Sequence, residues 1–124
     1  GLSIEDVDIV HGDTGRVQFG MGTYGSRSGS VGGTAITLSL DKIVEKSKRI
    51  AAHMLEAAPE DIELTQGRFH VRGSPDRSKG LPDISLAAYL AHSLPAGIEP
   101  GLEATSFFDP PNFTYPFGTH AAIV

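Results

Sequence analysis

Cysteine is absent from the 124 residues. Disulfides, Cys-ligated zinc or iron–sulfur sites and a thiol nucleophile are therefore excluded within the chain. Basic residues are in the minority, with 10 Lys and Arg against 15 Asp and Glu and a formal charge of -5. That balance argues against a dedicated nucleic-acid binder, which needs a basic face. No apolar run approaches the roughly 20 residues that cross a bilayer. The opening Gly1-Leu2-Ser3-Ile4-Glu5-Asp6 has neither the basic nor the apolar region of a secretion signal, so the cytoplasm is the expected location. Polar, frayed ends are missing too. The chain closes on Ala121-Ala122-Ile123-Val124 and opens on what reads as a helix-to-strand connection, so a piece of a larger polypeptide is expected.

Apolar residues make up 40%, enough for one compact domain spanning residues 1–124. Val7-Asp8-Ile9-Val10 alternates and reads as a short strand ending at His11-Gly12-Asp13. From about Ser30 to Ala58, apolar residues recur at spacings of three and four, among them Ile36, Leu40, Ile43, Ile50 and Met54. This predicts a long helix stopped by Pro59, with Glu45 and Arg49 as an i,i+4 pair. Asp61–Thr65 and Arg68–Arg72 flank Gln66-Gly67 as a β-hairpin. Ser74–Pro82 reads as a loop, and Ile84–Ala91 as a short helix capped by Asp83 or Ser85. Leu102–Phe108 and Gly118–Val124 read as strands around an aromatic, proline-rich loop. The expected class is α+β: a mixed or antiparallel sheet with one long and one short helix packed on it.

Glycine density marks the segment from Gly12 to Gly33. Gly12, Gly15, Gly20, Gly22, Gly25, Gly29, Gly32 and Gly33 are 8 of the 15 glycines. Thr23-Tyr24-Gly25-Ser26-Arg27-Ser28-Gly29-Ser30 leads directly into the long helix. Helix starts carry unpaired N–H groups and a positive dipole end. Glycines let those groups reach an anion, while Ser26, Ser28, Ser30 and Arg27 add donors. The segment therefore reads either as a phosphate cradle or as a tight crossing with serines capping the helix. No Gly-Lys-Ser/Thr follows, and Gly20-Met21-Gly22-Thr23-Tyr24-Gly25 fits a dinucleotide fingerprint by letter alone, without a strand before it.

Elsewhere the chemistry is sparse. His11, His53, His70, His92 and His120 show no metal-ligand spacing, and no metal site is expected. Asp13 suits an Asx-turn, and Glu5, Asp6 and Asp8 a solvated face. Phe113, Tyr115 and Phe117 suit a core cover or a subunit contact. No Ser/His/Asp arrangement stands out, and no catalytic residue is expected.

Several of these runs resemble one family. Gly1–Thr14, ending in Gly12-Asp13-Thr14, is similar to a segment of the molybdenum-cofactor-binding subunits of the xanthine dehydrogenase and aldehyde oxidase family. Gly20-Met21-Gly22-Thr23-Tyr24-Gly25-Ser26-Arg27-Ser28 resembles the signature of that family's carbon monoxide dehydrogenase large-subunit branch, followed by Gly32-Gly33-x-Ala35. Tyr115-Pro116-Phe117-Gly118-Thr119-His120-Ala121-Ala122 is similar to a strand near the end of the same region. The resemblance implies a molybdopterin cytosine dinucleotide carrying molybdenum, with Thr23, Gly25, Ser26, Arg27 and Ser28 as its contacts. It implies a parent oxidoreductase that oxidises a small molecule (carbon monoxide, an aldehyde or an N-heterocycle) with water as the oxygen source. Electrons would leave through [2Fe-2S] and FAD on partner subunits or domains. The resemblance places the family's Gln-Gly motif before Gly1 and its catalytic Gly-Val-Gly-Glu-type loop beyond Val124, so neither is expected within these 124 residues. This stretch is thus expected to be inactive alone, to need the remainder of the large subunit, and to expose apolar surface that favours self-association. The alternative is a stand-alone module that captures a phosphorylated ligand without redox chemistry.

Overall fold

The computed structural model describes residues 2–17 and 19–123. Gly1, at the head of the resemblance, and Val124, at the end of the expected last strand, lie outside the described residues, as does Gln18 in the glycine-rich segment. The long helix, α1, covers Gly33–Leu55 and is preceded without a break by a π-helical turn, Ser28–Gly32. β1 (Ile62–Thr65), β2 (Arg68–Val71) and β3 (Ser74–Gly80) follow, then α2 (Leu81–Leu90). The sheet is antiparallel throughout, in the order β1-β2-β3. The class is α+β, as expected.

The sheet buries one face against α1. Cross-strand pairs Ile62–Val71 and Leu64–Phe69 share that face, while Glu63–His70 and Thr65–Arg68 share the other. Ile50, Ala51 and Ala52 of α1, Ile62, Phe69, and Ile84 and Ala88 of α2 form the core. Alanines at Ala51, Ala52 and Ala88 add little bulk to the core that α1 and α2 share. Gln66 and Gly67 both have positive φ, 50° and 77°, as the favoured two-residue hairpin turn requires.

Four expectations need correction. First, α1 ends at Leu55, ahead of Pro59. Glu56 adopts a left-handed conformation, and the Ala57 N–H donates back to the Ala52 carbonyl at 3.0 Å. This closes the helix end and turns Ala57 toward the core. Pro59 instead opens a short 3-10 turn, Pro59–Asp61. Second, Ser74–Gly80 is a strand. Its polar residues mislead a pattern reading, but an edge strand needs only one partner and few apolar side chains. Arg68 donates to Ser78 Oγ at 2.8 and 3.1 Å, and Arg77 donates to the Leu55 carbonyl at the end of α1. Third, Gly80 is the cap of α2, and Asp83 accepts from the Gly80 N–H at 3.0 Å from within the first turn. Fourth, Val7–Val10, Leu102–Phe108 and 118–123 form no ladder among the described residues.

The run after Gly101 alternates in burial all the same, with Leu102, Ala104, Ser106 and Phe108 the less exposed set. Its backbone, and that of the connection just before it, is held by α1 side chains, with no neighbouring strand among the described residues. Lys42 Nζ donates to the Thr105 carbonyl at 2.9 Å, Lys46 Nζ to Pro100 at 3.4 Å, and Arg49 Nη2 to Ala96 at 3.4 Å. Arg49 is thereby diverted from Glu45, whose ion pair is with Lys48 at 3.1 Å. Among the described residues, no helix is long and apolar enough to cross a membrane.

Candidate functional site

The glycine-rich segment lies at the start of the helical run. Before it, Asp13 forms the expected Asx-turn by accepting from the Gly15 N–H at 2.9 Å. Gly22 has φ +71°, and Gly25 and Ser26 form a turn with φ +60° and +55°. Two side-chain closures straddle that turn. Thr23 Oγ1 and Ser28 Oγ are 2.5 Å apart. Arg27 reaches back to the Gly22 carbonyl through Nε at 3.3 Å and Nη2 at 2.9 Å. Its Nη1 donates to the Tyr24 hydroxyl at 2.8 Å, and the guanidinium carbon lies 3.8 Å from the Tyr24 ring centroid. All five expected contact residues, Thr23, Gly25, Ser26, Arg27 and Ser28, thus lie in one loop. Arg27 is half-buried and the other four are exposed.

The helical run begins with Arg27 at its cap position, and no side-chain hydrogen bond caps it there or at Gly32. The serine-cap alternative is therefore not what these residues do. Ser30 Oγ instead donates to the Arg27 carbonyl at 3.1 Å. A tight crossing is also not seen among the described residues. A Cβ built at Gly20, Gly22, Gly25, Gly29, Gly32 or Gly33 meets nothing within 4 Å.

Two positions run against local stability. Gly32 (φ −66°, ψ −44°) and Gly33 (φ −60°, ψ −43°) are plainly helical, where alanine is better by about 0.5–1 kcal/mol. Ser26 takes the left-handed region, where glycine is the residue without strain. Glycine stands where a side chain would help, and a hydroxyl stands where it costs. Such inversions of local preference collect at functional sites.

The surroundings are apolar and open. Ile36, Leu38 and Leu40, on the first half of α1, are exposed. A groove of about 590 Å³ runs beside them between Leu38, Asp41 and Lys42 and the Thr105–Phe107 stretch. Phe107 meets Phe19 edge-on at 6.1 Å, which ties that stretch to the glycine-rich segment. A second open cleft, of about 660 Å³, lies away from the loop near Glu45, Lys48, Glu60, Glu63 and Arg72. Its charges are largely spent on each other, as in the Arg72–Glu63 pair at 2.9 Å. Phe113, Tyr115 and Phe117 are 90%, 80% and 101% exposed, so they do not cover this chain's own core. Among the described residues, no three His, Asp or Glu side chains gather as a metal site. The histidines scatter, with His53 Nε2 3.3 Å from Ser93 Oγ and His70 Nε2 3.2 Å from Thr65 Oγ1.

Comparison with known proteins gives a consistent picture. Residues 1–124 match the molybdopterin cofactor-binding domain family. The chain is 48% identical to the carbon monoxide dehydrogenase large chain of Hydrogenophaga pseudoflava, over all of this chain and 15% of that protein. It is 39% identical over 117 residues to the 6-hydroxypseudooxynicotine dehydrogenase complex subunit gamma of Paenarthrobacter nicotinovorans, over 94% of this chain and 15% of that protein. The solved structure of reconstituted CO dehydrogenase from Oligotropha carboxidovorans superposes with a TM-score of 0.81 at 43% identity, covering 90% of this chain and 14% of that one. The chain thus spans about 15% of the length of the curated relatives it matches.

Proposed function

This chain belongs to the molybdopterin cofactor-binding domain family, and on that premise we propose that the Gly22–Gly33 loop is one wall of a pterin-dinucleotide site in a larger molybdenum hydroxylase subunit. The observation that carries the reading is the inverted preference at Ser26, Gly32 and Gly33, with open space in front of the glycines. Nothing among the described residues uses that space, so the lost helix stability answers to a group from outside the chain.

The donor set fits an anionic dinucleotide. Unpaired N–H groups of the first helical turn and the positive end of the α1 dipole suit its phosphates. The Ser26 hydroxyl and the one of the Thr23–Ser28 pair whose proton is not used between them add donors at the same mouth, and Gly25 lets the backbone approach closely. Arg27 completes the wall. The cofactor, when bound, supplies the redox chemistry by which a small molecule is oxidised with water as the oxygen source. This chain's residues bind and orient it, and the catalytic groups come from outside these 124 residues. The cytosine form of the dinucleotide follows from the resemblance, as do [2Fe-2S] and FAD on partner subunits or domains. Carbon monoxide, an aldehyde or an N-heterocycle is the substrate class. The rest of the large subunit would cover Ile36, Leu38 and Leu40, and the assembly would work in the cytoplasm.

The test is compositional. The full-length protein carrying this chain, purified from a molybdenum-replete host and then denatured, should release molybdenum and a cytidine nucleotide in equal amounts. Nucleotide without molybdenum would favour a phosphate-ligand module, and neither, from a well-folded preparation, would refute the assignment.

A further inference from the structure

Arg27 carries an inference that rests on the cofactor-wall reading and sharpens it. We propose that Arg27 is a positioning residue, which shapes the loop through Gly22 and Tyr24 so that its backbone N–H groups and hydroxyls face the ligand. Its charge is not the feature the site depends on.

The geometry assigns this role. Two of the guanidinium's nitrogens converge on one backbone oxygen, the Gly22 carbonyl, at 2.9 and 3.3 Å. A third meets the Tyr24 hydroxyl at 2.8 Å, while the guanidinium carbon lies over the same ring. A free phosphate ligand would keep its fork open. In this loop Nε and one N–H on each Nη, three of the five N–H donors, point inward. The side chain is half-buried, whereas the neighbouring Ser26 and Ser28 are exposed.

The loop needs such a clamp. Gly22, Gly25 and Ser26 all take positive φ, which few backbone interactions enforce. No β-ladder crosses residues 22–27. The Arg27–Gly22 and Thr23–Ser28 closures straddle the Gly25–Ser26 turn and set its shape. Only a planar fork can grip one carbonyl through two nitrogens while a third meets the tyrosine hydroxyl, so lysine cannot replace it.

The experiment compares Arg27→Ala, Arg27→Lys, Tyr24→Ala and Tyr24→Phe in the full-length enzyme. It reads retained molybdenum and cytidine nucleotide across a range of salt. It also reads hydrogen exchange of the 20–32 segment in cofactor-free protein, independently of activity. We expect Arg27→Lys to lose cofactor affinity as badly as Arg27→Ala, on the order of ten-fold, as with other groups that orient a ligand's direct contacts. Tyr24→Ala, which keeps the charge, should match it, and Tyr24→Phe should lose less. The three disruptive variants should speed exchange in the cofactor-free loop. Retention restored by lysine, with a wild-type dependence on salt, would make Arg27 a charge contact and overturn the proposal. Unchanged retention in all four variants, alongside loss on substituting Ser26 or Gly32 and Gly33, would overturn the Arg27 role alone. If no substitution in the loop alters retention, the cofactor-wall reading fails with it.

Discussion

Phe69→Ala is expected to destabilise the chain by about 3–5 kcal/mol, the usual cost of emptying a buried phenylalanine site. Phe69 is 2% exposed and sits at the centre of the sheet, paired with Leu64 on one side and Lys79 on the other. It is the bulkiest side chain in a core otherwise made of isoleucines and alanines. Small neighbours such as Ala51, Ala52 and Ala88 cannot move far enough to fill the void, so the high end of the range applies. Typical domains are stable by about 5–15 kcal/mol, so about a third of the margin or more would go. Thermal unfolding followed by far-ultraviolet circular dichroism should show a midpoint lower by more than about 10 °C. A shift of only about 2 °C would mean that the sheet and helices do not form one cooperative unit.

The second large effect has two opposite signs. Gly32→Ala with Gly33→Ala should stabilise the chain by about 1–2 kcal/mol together, because both residues are helical and alanine gains on glycine at each. No neighbour within 4 Å among the described residues opposes the new methyl groups. The same pair in the full-length enzyme should cut bound molybdenum and nucleotide at least several-fold, since the methyl groups occupy the space kept for the ligand. Ser26→Gly should behave alike, relieving a left-handed serine while removing a donor. Cofactor content and unfolding midpoint, measured on the same variants, decide the matter. Size-exclusion elution must stay at the wild-type volume, because a failure of assembly would point to protein packed on these glycines. A stabilised, fully assembled and fully loaded Gly32→Ala/Gly33→Ala enzyme would mean that the cofactor does not require glycine at either position.

The elements legible in the sequence were those whose pattern is local. The apolar spacing of Ile43, Ile50 and Met54 announces α1, and Gln66-Gly67 announces its hairpin, because a helix face and a two-residue turn are specified within a few residues. β3 was hidden because its register is set by β2, not by its own side chains, and its Arg68–Ser78 and Arg77–Leu55 contacts are long-range. The reverse error arose at Val7–Val10, Leu102–Phe108 and the described part, 118–123, of the last run, which also lacks a ladder among the described residues. Their alternation suits a strand, but a strand also needs a partner, and the first two have none among the described residues. For 102–108 the signal was half right, since burial alternates along it but its backbone is clipped to α1 by Lys42 at the Thr105 carbonyl.

In the loop, composition located the segment and the resemblance supplied its residues. What neither conveyed is how Arg27 is spent, because a fork turned back on Gly22 and Tyr24 looks the same in sequence as one held out to a phosphate. Tyr24, outside the expected contact set, proves to be that fork's partner. The adjacent Tyr24-Gly25-Ser26-Arg27 spacing, which lets an arginine fold over a ring three residues away, was the available signal.

Contact between the Gly22–Gly33 loop and the cofactor is tested most directly by amide hydrogen exchange in the full-length enzyme, loaded and cofactor-free. Strong protection on loading is expected at residues 22–33, centred on the first turn of the helical run, with little change at β1–β2. Equal exchange of residues 22–33 in the two forms, while other segments become protected, would contradict that contact.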